Sequence, residues 1–407
     1  MTRLHHHWDK PVWVLAALLA ALSTLGPFAI DTYLPAFDAI TQSLDATPVQ
    51  MQQTLSGYLL GFSIMMLFHG ALSDSFGRRS VTLVGLAIFA LASVMCATAT
   101  HVGTLILGRV LQGMSCGAGI VVGRAVVRDV FDAADAQRLM SQITLFFGVA
   151  PAIAPVIGGW LSTLAGWRAV FWFLALVPTL LFILAWSALP ETLPPEKRQP
   201  FSLRSLARGY WSIGTDRRFL LLAIASGVPF NAMFVFILAA PAMLGHHLGM
   251  PPTQFFWLFC SGIGGIMGGA WVSGRLAGRM ARERQVRLGF IALLSVATLN
   301  VLWHSFMAPT PVSAILPVGL TAFGWSMLTP VVTLMVMDRF PERLGMAASV
   351  QGSIASFTNA VVAGVIVPIA MSSVRNLAIA SLCMGVIGWA AWKTFRVWQR
   401  REARAGN

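Results

Sequence analysis

Long apolar runs, each closed by a short polar stretch, alternate along the whole 407-residue chain. A helix that crosses a bilayer needs about 20 mostly apolar residues. Twelve stretches meet that length: 11–37, 47–72, 80–99, 102–126, 138–164, 168–189, 218–244, 252–274, 286–306, 311–337, 344–371 and 374–397. The first run is too long for a signal peptide and has no small-residue cleavage site after it, so it reads as the first span. The longest connection, Pro190 to Arg217, is polar, basic and proline-bearing, and it divides the spans six and six. The pattern therefore predicts an all-α integral membrane protein with an N-terminal half (1–189), a linker (190–217) and a C-terminal half (218–407).

Composition agrees with this reading. Hydrophobic residues make up 57% of the chain and charged residues 11%, whereas a soluble domain carries about 25% charged residues. The net charge of +13 raises the question of nucleic acid, but the basic residues are spread over alternate short loops rather than gathered in a patch. Only Arg168 and Arg375 fall on the other side, and this bias places both termini in the cytoplasm. Cys96, Cys116, Cys260 and Cys383 lie in apolar segments without metal spacing and read as small core residues. The His5–His7 trio is assigned no function. No HExxH, GxSxG or Walker P-loop occurs, which excludes the common embedded enzymes and direct use of ATP, and no cofactor or metal is expected.

Asp31 is the exception in this apolar background. It is the only carboxylate inside a long apolar run, and an acid near the bilayer centre costs about 2.5–3.5 kcal/mol on insertion scales. Arg109 is the only strong base well inside a span. If the first span ends near Asp38 and the fourth begins near Val102, both groups lie seven residues in, or roughly 10 Å at about 1.5 Å per residue. They share a depth, but helix rotation decides whether they touch. Asp31 reads either as a proton-carrying site or as a structural cap at a kink near Pro35. Arg109 reads as a coupling partner or as a brace that binds backbone carbonyls, and these two roles are compatible.

Several segments carry a family pattern. Gly70-Ala-Leu-Ser-Asp74-Ser-Phe-Gly77-Arg78-Arg79 resembles the signature between helices 2 and 3 of the major facilitator superfamily. Its second-half counterpart, Gly268 to Arg279, has Ser273 or Gly274 where an acid is expected. Leu105 to Gly113, which contains Arg109 and Gln112, resembles the fourth-helix motif of proton-coupled members. Gly148 to Gly159, with Pro151, Pro155, Gly158 and Gly159, resembles the antiporter motif, although Ala150 and Ala154 replace two glycines. Ile30-Asp31-Thr32-Tyr33-Leu34-Pro35-Ala36 and Arg124 to Asp129 resemble hallmarks of the Bcr/CflA, or bicyclomycin-resistance, transporters. This likeness is specific over the first half and rests on span count and general pattern in the second.

The resemblance implies the twelve-helix major facilitator fold in a bacterial inner membrane and export of small hydrophobic or amphipathic compounds, such as antibiotics, in exchange for protons. It implies proton coupling at Asp31 and Arg109 and a cytoplasmic latch made by Gly70, Asp74, Gly77, Arg78 and Arg79. Pro151, Pro155, Gly158 and Gly159 would form a hinge. Phe28, Tyr33, Tyr58, Phe62, Phe147, Phe230, Asn231, Phe234 and Trp325 fall in spans that line the substrate cavity of this fold. For any single one of them, packing against a helix or lipid remains the simpler role. The motifs report energy coupling rather than substrate, so export of a nucleoside, sugar or amino acid derivative stays open. A single intramembrane acid suits neutral or monovalent compounds. The partners expected are a small-molecule substrate, protons and the lipid bilayer, with no nucleic acid, and a monomer is the expected working unit.

Overall fold

The computed structural model describes the backbone of residues 12–131, 133–340 and 343–405, and the side chains of these except 12, 133–138, 140–149 and 402–405. The His5–His7 trio and the side chain of Phe147 lie outside the described residues. Among the described residues all regular structure is helical. Eleven helices are long and apolar enough to cross a membrane. The remaining predicted span corresponds to a helix over Ala133–Ala165, whose described apolar part is Ala150–Ala165. Large apolar side chains such as Leu91, Leu164, Trp172 and Phe306 stand exposed on these helices, as lipid-facing residues do; water would penalise such a surface.

The chain divides into two compact units, Met1–Leu203 and Arg204–Asn407. The first contains α1 (Val12–Asp31), a 3-10 turn (Leu34–Ala36), α2 (Phe37–Ser43), α3 (Pro48–Phe76), α4 (Arg78–Ala97), α5 (Val102–Val130), α6 (Ala133–Ala165) and α7 (Trp167–Ala188). Within it α3 packs on α5, α4 on α7 and α1 on α6. The second contains α8 (Leu203–Gly214), which begins at the boundary residue. It continues with α9 (Arg217–Gly227), a 3-10 turn (Val228–Phe230) and α10 (Asn231–Leu238). A π segment (Pro241–His247) leads to α11 (Phe256–Leu276), α12 (Arg282–Phe306), α13 (Pro311–Met337) and α14 (Leu344–Val361). A second π segment (Val362–Ile366), α15 (Val367–Ala370) and α16 (Val374–Ala405) complete it. Here α11 packs on α13, α12 on α16 and α9 on α14. Each unit thus pairs its spans in the same order, as an internal repeat would.

Three local features depart from the sequence expectations. The first span, predicted as 11–37, is not one helix: α1 ends at Asp31 and the apolar stretch continues through a 3-10 turn and α2 to Ser43. The connection predicted as a plain linker contains α8, whose buried Gly209 and Ile213 lie against the second unit, with Gly209 facing Met346. Its other faces carry exposed Arg204, Arg208 and Trp211. Of the cysteines only Cys96 and Cys116 are buried; Cys260 and Cys383 are exposed, so apolar context placed them in spans without saying which face they take.

One of the tightest helix contacts joins α3 to α5. A methyl group at Gly113 would run into the Tyr58 carbonyl, whereas Gly103, on the same helix, has nothing within 4 Å. Gly113→Ala should therefore destabilise the protein by about 1–3 kcal/mol through overpacking. Gly103→Ala should leave stability unchanged or raise it by up to about 1 kcal/mol. Thermal unfolding of the two purified variants in one detergent measures the difference, and equal melting temperatures would contradict the packing described.

Candidate functional site

Pro35 accounts for the break in the first span. It has no N–H, so the carbonyl four residues earlier, that of Asp31, loses its helical partner. The backbone tightens instead: Thr32 N–H still reaches the Phe28 carbonyl at 3.0 Å, while Tyr33 N–H bonds Ile30 at 3.2 Å. Asp31 is therefore the last residue of α1, 6% exposed. Among the described residues it is the only buried carboxylate. Irregular backbone inside a membrane is tolerated where it is buried in protein or lines a polar site.

Arg109 enters this region from α5 and is fully buried. Its guanidinium lies between two tyrosine faces, 4.6 Å from the Tyr33 ring centre and 4.4 Å from that of Tyr58. Nη1 donates to Gln112 Oε1 at 2.7 Å and to the Ala29 carbonyl at 3.4 Å. Nε and Nη2 have no hydrogen-bond partner. Gln112 in turn donates to Ser93 at 2.7 Å. The tyrosines are fixed from behind. Tyr33 and Thr54 share a hydroxyl hydrogen bond of 2.8 Å, and Tyr58 donates to the Gly26 carbonyl at 2.9 Å and to Cys116 Sγ at 3.1 Å.

No ion pair joins Asp31 to Arg109, although Arg109 bonds a carbonyl two residues before Asp31. The helix carrying Pro151 and Pro155, α6, runs against α1 and the 3-10 turn. Its Gly158 faces the Thr32 carbonyl so closely that a Cβ there would overlap it. The small residue of this segment therefore has a local reason: it lets α6 approach the backbone beside Asp31.

The predicted aromatic residues fall into separate places. Tyr33 and Tyr58 are buried at 0% and 1% exposure, and their ring faces are taken by Arg109. Tyr33 also packs on Phe37 and Phe171, at 5.0 and 5.3 Å between ring centres. Phe28 and Phe62 are half-buried in the first unit. In the second unit Phe230 stands 5.0 Å from Phe234 and 4.9 Å from Trp325. Next to them Asn231 donates to Asn359 Oδ1 at 2.9 Å. The structure thus groups Phe230, Asn231, Phe234 and Trp325. Asn359 was missed because its partner lies 128 residues away.

The segment Gly70 to Arg79 closes α3 and opens α4. Gly77 has φ +95°, a conformation that glycine adopts at little cost. Arg78 is buried and pairs with Asp74 at 2.5 Å and with Asp129 at 3.2 Å. Arg79 donates to the Trp186 carbonyl at 2.6 Å. A further acid that sequence reasoning missed completes the arrangement. Glu191 Oε1 accepts from Arg78 N–H at 2.9 Å and from Leu193 N–H at 3.1 Å, while Oε2 lies 3.6 Å from Arg198. Glu191 thereby caps α4 from 113 residues away. Thr192 donates to Asp129 at 3.0 Å and Gln199 N–H to the Asp74 carbonyl at 3.1 Å. The start of the connection is laced to this turn. In the second unit an Arg282–Asp338 pair stands at the corresponding place, at 2.9 Å and exposed, while Ser273 accepts from Gln285.

Comparison with known proteins follows this geometry. The Major Facilitator Superfamily profile matches residues 14–368. The chain is 29% identical over 374 residues to the bicyclomycin resistance protein homolog of Haemophilus influenzae, covering 90% of this chain and 92% of that one. It is 28% identical over 382 residues to multidrug resistance protein D of Escherichia coli, covering 93% and 94%. Among solved structures the human organic anion transporter MFSD10 aligns with a TM-score of 0.65 at 17% identity, over 95% of this chain and 100% of that one. That last likeness is one of fold.

Replacing Glu191 by Ala removes the α4 cap and is expected to cost about 0.5–2 kcal/mol. It should also free the peptide bonds after Lys197 and Arg198. Limited trypsin digestion should cut Glu191→Ala faster there than the parent, and equal cutting would contradict the capping role.

Proposed function

The chain belongs to the major facilitator superfamily, and on that premise we propose that it is a drug/proton antiporter of the bicyclomycin-resistance type. It exports small hydrophobic or amphipathic compounds, antibiotics among them, across the bacterial inner membrane, as a monomer with both termini in the cytoplasm. The printed names of two relatives, bicyclomycin resistance protein homolog and multidrug resistance protein D, support the substrate class. The arginine-rich loops on one side support the orientation.

Asp31 is the observation that carries the reading. An acid buried at a broken helix in a membrane is a functional residue by default. Gaining or losing a proton there changes the charge beside the Tyr33–Arg109–Tyr58 arrangement by one unit. Such a change favours one of two conformations only through its different interactions in each. Asp31 loads a proton from the periplasmic side, substrate leaves, and return of the site to the cytoplasmic side releases the proton. The Asp74–Arg78–Asp129 cluster with Glu191 acts as the cytoplasmic latch, and Gly158 keeps α6 close to the moving backbone.

In liposomes holding the full chain, Asp31→Asn should lose proton-driven substrate flux by about tenfold or more while keeping substrate exchange without a gradient. Proton-driven flux equal to that of the parent would overturn the coupling role. In a strain stripped of its other pumps, expression should raise antibiotic tolerance; unchanged tolerance across a panel, with flux of a cell metabolite instead, would replace the drug class.

A further inference from the structure

Charge and dipole chemistry are divided between the units. All buried Asp, Glu, Lys and Arg side chains among the described residues, namely Asp31, Arg78 and Arg109, belong to the first unit. Among the described residues the second unit buries amides, hydroxyls and the His304 imidazole instead. We propose that its Asn231–Asn359 pair, with Gln351, forms an uncharged recognition site for neutral compounds that carry amide or hydroxyl groups beside an aromatic ring. The proposal rests on the transport reading above and specifies its substrate.

The site sits where two helices are interrupted. On one side α9 ends at Gly227 and a 3-10 turn with Pro229 leads to Asn231. On the other, Asn359 stands in the last turn of α14, just before the π segment Val362–Ile366. Such interruptions are frequent at functional sites because they turn backbone and side-chain groups away from the regular ladder. A second set of hydrogen bonds lies about two turns earlier on α14. Gln351 Nε2 donates to Ser226 Oγ at 3.0 Å and to Thr333 Oγ1 at 3.3 Å. Trp325 Nε1 donates to the Ser226 carbonyl at 2.8 Å. Phe230 closes on Trp325 and Phe234.

One atom of the Asn231–Asn359 pair is not served. Asn231 is fully buried and its Nδ2 is spent on Asn359, but its Oδ1 has no hydrogen-bond partner. A buried acceptor of this kind is uncommon, and it calls for a donor: an amide N–H or a hydroxyl. Phe230, Trp325, Asn359 and Gln351 are only half-buried, so the aromatic and amide groups that would meet such a ligand are reachable. Without a formal charge in the network, an ion would gain little here over water, whereas a neutral molecule with an amide or hydroxyl loses little on entry and satisfies Asn231.

The test uses the full chain in liposomes and two probes. Chloramphenicol is neutral and has an amide, two hydroxyls and one aromatic ring; tetraphenylphosphonium is an aromatic cation without hydrogen-bonding groups. Asn359→Leu and Gln351→Leu should each raise the chloramphenicol KM by about tenfold, with its maximal rate and the tetraphenylphosphonium KM little changed. Asn359→Gln, which keeps the amide, should recover part of the loss. Equal loss for both probes, no change for chloramphenicol, or transport of the cation alone would overturn the assignment. If neither probe moves with protons, the transport reading itself fails. Equilibrium dialysis of labelled chloramphenicol then decides the site: binding weakened about tenfold by Asn359→Leu supports it, and no binding to the parent overturns it. Where Asn359→Leu does not unfold cooperatively in detergent, the Asn359→Gln and Gln351→Leu pair carries the comparison.

Discussion

A fully buried guanidinium without a bonded carboxylate constrains the whole first unit. Removing an ion from water costs several kcal/mol even after relaxation, and the fold offsets this with two tyrosine faces at 4.6 and 4.4 Å, a side-chain amide and one carbonyl. Cation–π contacts are strongest where both partners are desolvated. Each support demands another. The tyrosines need Thr54, Gly26 and Cys116 to hold their hydroxyls. Close approach of α3 to α5 needs Gly113. Because two guanidinium nitrogens stay without partners, the arrangement remains responsive to a negative charge appearing or vanishing nearby. Asp31, at the end of α1, is the group able to supply it.

The turn between α3 and α4 handles charge differently. Arg78 is surrounded by Asp74 and Asp129, and Glu191 caps its backbone. This ties the stretch from Glu191 to Gln199 to the first unit, while α8 lies against Met346 in the second. The connection between the units is therefore structured on both ends rather than slack. Asp74 and Asp129 remain partly exposed, at 46% and 26%, so dissolved salt screens this cluster.

Much of this was legible in the sequence because bilayer thickness imposes a length on apolar runs, and that signal survives without any tertiary information. The span 311–337 falls on the helix Pro311–Met337, and most other spans differ from their helices by a few residues. Asp31 and Arg109 stood out because charge is costly in lipid. Their similar depth followed from helix rise, and Arg109 does reach the backbone at Ala29. Their lack of direct contact did not follow, because it depends on how α5 is rotated and on Tyr33 and Tyr58 filling the space. Tyr33 lies two residues from Asp31, but its hydroxyl bonds Thr54. The break at Asp31 was within reach through Pro35. Glu191 and Asn359 were not, since their partners lie 113 and 128 residues away and no local pattern encodes such pairings. The short helix α8 was hidden because its twelve residues, apolar ones mixed with basic and polar ones, fall short of the length of a membrane span.

The central claim is that the proton exchanged for substrate resides on Asp31. Purified protein in weakly buffered detergent solution, mixed with substrate in the presence of a pH-indicating dye, reads this directly. The account predicts release of about one proton per substrate bound by the parent protein and none by Asp31→Asn, although the variant still binds. Equal release from both would contradict it and place the coupling proton elsewhere.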